Sequence, residues 1–159
     1  MTVSIDKVDR KILDILQVEG RLSNQEVADR VNISAAACWR RIRALETAGV
    51  ISRYVALLNR KALDLKFSTF VHVSLARHEP GSVERFEQVM LQRDDVLECH
   101  ATTGDADFLL KVVSEDIESY NRFLEETIFT LPGILRVGTN ITLREVKSET
   151  RIPLAKVSA

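Results

Sequence analysis

The sequence predicts an α+β protein in which an N-terminal winged helix-turn-helix domain precedes a ferredoxin-like βαββαβ domain. Two short helical patterns within residues 23–48 are separated by only two residues, and the apolar spacing changes from about 3.6 to 2 residues at Phe67. Beyond Phe67 the patterns follow the order strand, helix, strand, strand, helix, strand. The expected divisions are a helix-turn-helix domain at 1–58, a linker at 59–66, a ferredoxin-like domain at 67–147 and a C-terminal tail at 148–159.

The first two helices are predicted from capping residues and apolar spacing. A helix is expected from Asp6 to Leu16, with Asp6 as its N-cap. Ser23-Asn-Gln-Glu26 has the spacing of a capping box and opens a second helix that runs to Val31. Asn32 follows in the turn, where Asn tolerates a left-handed conformation.

Residues 34–48 are predicted to form the third helix, on which the function of this domain depends. Ser34 is a good N-cap, and Gly49 follows as a stop. The apolar stripe consists of Cys38, Ile42 and Leu45. Ala36, Arg40 and Arg43 lie on another face, which contains no acidic residue. In a helix-turn-helix unit this helix enters the major groove of DNA.

The exposed face of residues 34–48 begins with small side chains and then turns basic, so it suits close approach to base edges and phosphates. Trp39 fits packing at the edge of the domain better than a DNA contact. The residues expected to contact double-stranded DNA are Ser34, Ala36, Ala37, Arg40, Arg41, Arg43 and Arg53.

The segment after this helix is predicted to form a strand or wing. Residues 49–58 contain β-branched and aromatic side chains, and they would carry Arg53 towards DNA. Residues 31–60 hold five Arg and one Glu, a basic footprint on and just after the third helix. Residues 59–66 are expected to form a polar connector that contains a short helical turn.

The ferredoxin-like domain is predicted from alternating patterns and the helices between them. Strands are expected at Phe67–Leu75, Val96–Thr103, Phe108–Val113 and Ile134–Val146. The first helix opens at Pro80-Gly-Ser82, with Val83, Phe86, Val89 and Met90 inward. The second opens at Ser114-Glu-Asp116, with Ile117, Tyr120, Leu124, Ile128 and Leu131 inward.

Both helices are expected on one face of the sheet, which leaves the other face open. Its occupants, His72 and Lys111 among them, are mixed and not charged throughout. The simplest cover is the same sheet from a second copy of the chain, so a homodimer is expected.

Several classes of protein are not supported by the sequence. The longest run without a charged residue is Phe67–Ala76, ten residues, which is too short for a membrane span, and a cytoplasmic protein without membrane contact is expected. Cys38 and Cys99 have no metal or redox spacing and are expected in the core. The sequence contains no phosphate-binding loop and no evident nucleophile with a base, so no cofactor, no metal and no enzymatic activity are expected.

Gly104-Asp-Ala-Asp107 is the best candidate for a small-molecule site. Asp and Gly also belong in ordinary turns, so a purely structural turn is the alternative. Carboxylates beside exposed backbone amides are able to bind the ammonium and carboxylate groups of a free amino acid together.

Motifs along nearly the whole chain resemble the Lrp/AsnC, or feast/famine, family of transcriptional regulators. In the N-terminal part they are Asp9-Arg-Lys-Ile-Leu13, Gly20-Arg-Leu-Ser23, Arg41-Ile-Arg-Ala-Leu-Glu46 and Gly49-Val-Ile51. In the C-terminal part they are Glu98-Cys-His100, Gly104-Asp-Ala-Asp107, Leu131-Pro-Gly133 and Glu145-Val-Lys147. Each motif is weak alone, but together and in this order they are specific.

The resemblance implies a regulator whose assembly and DNA binding respond to a small effector, an amino acid, and whose dimers form higher assemblies. The implied effector contacts are Thr103, Gly104, Asp105, Asp107 and Asn140. Two residues depart from the pattern, since Ala106 replaces a residue often aromatic and Asn140 stands where a Tyr is familiar. Both departures would reshape the site, so the particular amino acid is left open.

A second hypothesis is a ferredoxin-like metabolite-binding or enzymatic module whose N-terminal helices mediate protein contacts. The basic charge of residues 31–60 favours the DNA-binding hypothesis.

Overall fold

A computed structural model of the chain describes residues 4–76 and 80–154. The chain divides into two compact units. One contains the described parts of Met1–Leu57 and Lys147–Ala159, and the other contains those of Leu58–Val146. No helix in these described ranges is long and apolar enough to cross a membrane.

The first unit contains three helices, α1 (Lys7–Leu16), α2 (Asn24–Val31) and α3 (Ala35–Thr47). Asp6 and Ser23 both cap through complete capping boxes, and the Ser34 side chain accepts from the amide of Ala37. These caps confirm the predicted helix starts. Asn32 adopts the left-handed conformation, with φ 58°, and turns the chain from α2 into α3.

The three helices of the first unit enclose a small apolar core. Its fully or nearly fully buried members are Ile12, Val27, Ala28, Val31, Cys38 and Ile42. The predicted stripe of α3 is therefore buried, including Leu45 in an adjoining cluster. Burial of this stripe fixes the opposite face of α3 towards solvent.

The C-terminal residues of the described chain bind to α1. The Gln17 side chain donates to the carbonyl of Ile152 at 3.2 Å and accepts from its amide at 2.6 Å. Arg151 pairs with Asp14 at 3.0 Å, and Leu154 packs beside the cluster that contains Leu45. The tail thus returns to the first unit.

The strand predicted within residues 49–58 is absent. The segment after Gly49 is extended, but it pairs with no strand among the described residues. A strand needs a hydrogen-bonded neighbour, and the β-branched and aromatic composition alone does not supply one. Leu57 and Leu58 are 72% and 74% exposed. A single 3-10 turn, Arg60–Leu63, follows in the connector.

The second unit is a four-stranded antiparallel sheet with helices packed on one face. Its elements are β1 (Phe67–Leu75), α4 (Ser82–Leu91), β2 (Val96–Ala101), β3 (Phe108–Ser114), α5 (Ile117–Phe123) and β4 (Ile134–Ile141). The strand order is β2-β3-β1-β4, so the predicted ferredoxin-like arrangement is confirmed. Val71 at the centre pairs with Leu110 on one side and Thr139 on the other.

The core of the second unit lies between the sheet and α4 and α5. It contains Val71, Val73, Leu75, Phe86, Met90, Phe108, Leu110, Val112, Tyr120, Phe123 and Ile128. Val83 and Ile117, predicted inward, are 44% and 50% exposed because they lie in the first turns, ahead of the stripes that begin at Phe86 and Tyr120. A π-helical turn, Leu124–Ile128, continues α5 and brings Ile128 into the core.

Two other expectations for this unit are wrong. β4 ends at Ile141, five residues before Val146, because its pairing with β1 ends at Thr69 and Ser68. Cys99 is exposed instead of buried, since β2 is the edge strand and has a neighbour on one side only.

The face of the sheet opposite the helices carries mixed side chains. Phe70 is 38% exposed there. The Nδ2 atom of Asn140 lies 3.1 Å from the Nε2 atom of His72. Lys111 pairs with Glu98 at 3.0 Å, and this contact holds the pKa of Glu98 below its usual range. Within this unit, the described residues place no helix over this face.

Candidate functional site

The exposed face of α3 carries small residues followed by arginines, as predicted. Ala36, Arg40 and Arg43 are exposed, Ala37 is half-buried, and Ser34 is exposed at the N-cap. Arg40 has no ion-pair or hydrogen-bond partner among the residues that the structure describes. Its guanidinium group is therefore available to an external anion.

Arg41, which the sequence includes among the expected DNA contacts, differs from Arg40 because two carboxylates bind its side chain. Its guanidinium group donates to Asp6 at 2.7 Å and to Asp9 at 2.8 Å. The hydrogen bonds to Asp9 and then to Asp6 raise the pKa of Arg41. The residue joins α3 to the start of α1, and these contacts favour a structural role for it.

Contacts near the C-terminal end of α3 link four side chains in turn, those of Trp39, Arg43, Glu46 and Tyr54. The Arg43 Cζ atom lies 5.9 Å from the centroid of the Trp39 ring, and Arg43 Nη1 lies 3.1 Å from Glu46 Oε2. The other Glu46 oxygen accepts from the Tyr54 hydroxyl at 3.2 Å. Burial and then this hydrogen bond raise the pKa of Tyr54, so the hydroxyl keeps its proton and donates. Trp39 itself is 51% exposed and lines a cleft with Leu16 and Leu22.

Arg53 lies in the extended segment after α3. It is exposed, and its side chain has no hydrogen-bond or ion-pair partner among the described residues. Because no wing strand forms, the segment does not fix the direction of Arg53, and a role for it in DNA binding stays a prediction.

The Gly104-Asp-Ala-Asp107 loop is closed by hydrogen bonds to its own ends and to β1. Thr102 bonds across the loop, its amide donating to the Asp107 carbonyl and its hydroxyl to the Ala106 carbonyl, both at 2.8 Å. The Ser74 hydroxyl donates to the Asp105 carbonyl at 3.1 Å. Gly104 has φ 119°, a conformation that favours glycine.

Asp107 completes the end of the sheet. Its amide donates to the carbonyl of Val73 at 3.0 Å, and its carboxylate accepts from the amide of Leu75 at 2.7 Å. Beyond this point the β1–β3 pairing has ended, so the carboxylate replaces a strand hydrogen bond. This carboxylate is therefore already engaged in the fold.

Two adjoining clefts lie beside the loop. One, of about 750 Å³, is lined by Ser74, Leu75, Ala76, Gly104, Asp105, Asp107, Leu135 and Arg136. The other, of about 320 Å³, is lined by His72, Ser74, Asp105, Ala106, Arg136, Gly138, Thr139 and Asn140. Both volumes lie in the range of small-molecule sites.

The structure brings most of the predicted effector residues to these clefts. Gly104, Asp105 and Asp107 line the first cleft and Asn140 lines the second, whereas Thr103 lines neither. Asp105 and Arg136 line both clefts, and neither side chain has an ion-pair partner in the described ranges. An anionic and a cationic group are thus available at one site.

Sequence reasoning missed several lining residues, among them His72, Ser74 and Arg136. His72 and Ser74 alternate on the open face of β1, and Arg136 alternates with Gly138 and Asn140 on β4. The family resemblance implied Asn140 but not Arg136, although a period of two places both on one face of β4. The sequence does not reveal that β4 lies beside β1 and hence near the loop. No group of three His, Cys, Asp or Glu side chains that would hold a metal is present in the described residues.

Comparison with family models matches both parts of the chain. Residues 5–52 match a winged helix-turn-helix DNA-binding model, and residues 68–152 match the Lrp/AsnC ligand binding domain. The chain is 39% identical over 148 residues to the leucine-responsive regulatory proteins of Klebsiella pneumoniae and Escherichia coli strain K12. These alignments cover 93% of this chain and 90% of each relative.

Two solved structures share the fold of nearly the whole chain. A transcriptional regulator from Neisseria meningitidis, in complex with L-methionine, matches with a TM-score of 0.91 and 35% identity over 95% of this chain and 97% of that one. An AsnC family regulator from Agrobacterium tumefaciens matches with a TM-score of 0.90 and 36% identity over 96% and 99% of the two chains.

Proposed function

The chain belongs to the Lrp/AsnC family of DNA-binding transcriptional regulators, and on this premise we propose which surfaces carry the two activities. The exposed face of α3 binds the major groove of double-stranded DNA. The cleft between the 102–107 loop and β4 binds a free amino acid, which changes the assembly and through it the binding of DNA.

The observation that carries the DNA assignment is the exposed side of α3, on which the neighbouring acid, Glu46, is paired with Arg43. Ala36 at its start permits close approach, and Arg40 and Arg43 follow on the same face. Arg41 is excluded from the contact set because Asp6 and Asp9 hold it. Ser34 and the first amides of α3 suit a phosphate at the helix N-terminus.

The amino-acid assignment rests on opposite charges at one cleft. Arg136 suits a carboxylate and Asp105 suits an ammonium group, so a zwitterion satisfies both. Ala106 leaves space where the second cleft adjoins the loop. The relative from Neisseria meningitidis in complex with L-methionine supports an amino acid as the effector.

The open face of the sheet supports a homodimer. Its partly apolar surface, with Phe70 at the centre, is covered when two copies place these faces together. Two α3 helices in such a dimer would address half-sites about one helical turn or a multiple apart. A regulator of this kind acts on chromosomal DNA in the cytoplasm.

The test is a titration of DNA with the protein in the presence and absence of each of the twenty amino acids, with oligomer mass measured in parallel. We expect salt-dependent binding to the upstream DNA of the chain's own gene and a change in mass with at least one amino acid. Asp105→Asn should retain basal DNA binding and lose the response. If the protein binds no DNA yet binds a metabolite, the metabolite-binding module is the better description.

A further inference from the structure

The contacts that link Trp39, Arg43, Glu46 and Tyr54 bear on the DNA sequence that the protein selects. The inference rests on the proposed function, because it assumes that α3 lies in the major groove. We propose that Trp39 and Arg43 form one base-reading unit, oriented by Glu46, that selects a guanine with a thymine beside it.

Arg43 is held on two sides. Its guanidinium lies over the Trp39 ring, 5.9 Å from the centroid, and its Nη1 atom lies 3.1 Å from Glu46. Stacking against an aromatic face and an ion pair together restrict a side chain that is otherwise flexible. Only Nη1 is engaged, so the edge formed by Nε and Nη2 is free to donate twice. Two parallel donors match O6 and N7 of guanine.

Trp39 offers the complementary apolar surface. It is 51% exposed although it is the largest apolar side chain of α3, and it lies one helical turn before Arg43. The thymine C5-methyl group is the apolar feature of the major groove, and it is contacted by apolar side chains. A thymine beside the guanine read by Arg43 therefore meets the indole ring.

Glu46 is a positioning residue in this scheme. It is 28% exposed, and its two oxygens are engaged by Arg43 and Tyr54, so its charge is compensated near the DNA. Loss of its charge should relax the choice of base, because Arg43 then loses one of its two restraints. A residue with only a structural role would change overall affinity without changing base preference.

The experiment selects preferred duplexes for the wild-type protein from a random pool and then measures Kd for modified copies. Replacing one thymine by uracil removes only the methyl group, and replacing the guanine by 7-deazaguanine removes only N7. We expect about a fourfold loss for the uracil duplex, the effect of one buried methyl group, and about tenfold for the 7-deazaguanine duplex. Trp39→Ala should bind the thymine and uracil duplexes equally, and Arg43→Ala should not discriminate against 7-deazaguanine.

Glu46→Gln should reduce the ratio of Kd values between the 7-deazaguanine and guanine duplexes, while its circular dichroism spectrum stays unchanged. Arg40→Ala is the matched control, because it loses affinity but keeps the penalty for uracil at the Trp39 position. The proposal is overturned if wild type binds every uracil duplex as well as the thymine duplex, or if Trp39→Ala keeps the penalty. If wild type binds no duplex at all, the proposed DNA function itself fails.

Discussion

The three arginines of α3 have different partners, although they are close in sequence. Arg40 is exposed and unpaired in the described chain, Arg43 is held by Trp39 and Glu46, and Arg41 joins α3 to α1. The sequence gives the charge of each residue but not its partners. Asp6 and Asp9 lie more than thirty residues away, and only the packing of α1 against α3 brings them to Arg41.

Arg41→Ala should therefore reduce stability more than Arg40→Ala does. We expect a loss of about 1 kcal/mol in the free energy of unfolding for Arg41→Ala, as for a pair of partly exposed ion pairs, and little change for Arg40→Ala. Urea denaturation measures both. Equal stability of the two variants would contradict the structural role of Arg41.

The same contact has a pH dependence. The amide of Asp9 and then Arg41 lower the pKa of Asp6 below its usual range, so the folded state favours the charged carboxylate. A lowered pKa stabilises the fold above the ordinary value of about 4, and this contribution is lost as the pH falls through the lowered pKa. In Arg41→Ala the loss of stability in this acid range should be shallower than in wild type.

Asp105 and Asp107 are predicted to respond differently to substitution. Asp105→Asn should retain stability and lose affinity for the amino acid, because this carboxylate has no partner in the described residues. Asp107→Ala should cost about 1–3 kcal/mol of unfolding free energy, because the Leu75 amide loses its acceptor. Thermal denaturation and calorimetric titration of both variants distinguish the two roles. Identical effects on both measurements would show that the loop acts as a single structural turn.

At the scale of elements, the turn between α2 and α3 depends on one backbone conformation. Asn32 has φ 58°, where glycine is unstrained and alanine is not. Asn32→Ala should cost about 1–2 kcal/mol, and Asn32→Gly should be close to neutral. Chemical denaturation of the two variants checks the order. An alanine variant as stable as the glycine variant would mean that the turn rearranges.

Elements with local signals were predictable from the sequence, and those that depend on distant partners were not. The capping boxes at Asp6 and Ser23 mark where α1 and α2 begin, and periods of 3.6 and 2 separate the two halves of the chain. The predictions of a strand near Arg53 and of a β4 that continues to Val146 were wrong, because a strand requires a neighbour that composition does not reveal. The loop residues of the cleft were predicted and Arg136 was not, because only the pairing of β1 with β4 brings Arg136 to the cleft.

At the scale of the whole molecule, the open sheet face should determine assembly. Phe70 lies beside Lys111 on this face, so Phe70→Lys places two like charges together and leaves them buried in a dimer. We expect at least about a tenfold weaker association, measured by sedimentation or light scattering at micromolar concentration. Leu91→Lys is the matched control, because Leu91 is 81% exposed on α4, on the helix side of the sheet. A mass that falls with Leu91→Lys and not with Phe70→Lys would place the interface elsewhere.

The most direct test of the DNA-binding surface is the salt dependence of DNA affinity for wild type, Arg40→Ala and Arg41→Ala. Each phosphate contact contributes about one unit to the slope of log affinity against log salt, because binding releases condensed counterions. If Arg40 contacts a phosphate, Arg40→Ala should have a slope shallower by about 1. If Arg40 contacts a base, the binding free energy should weaken by about 1–3 kcal/mol at every salt concentration. Arg41→Ala, once folded, should match wild type. Affinities and slopes that are identical for wild type and Arg40→Ala would contradict the placement of α3 in the groove.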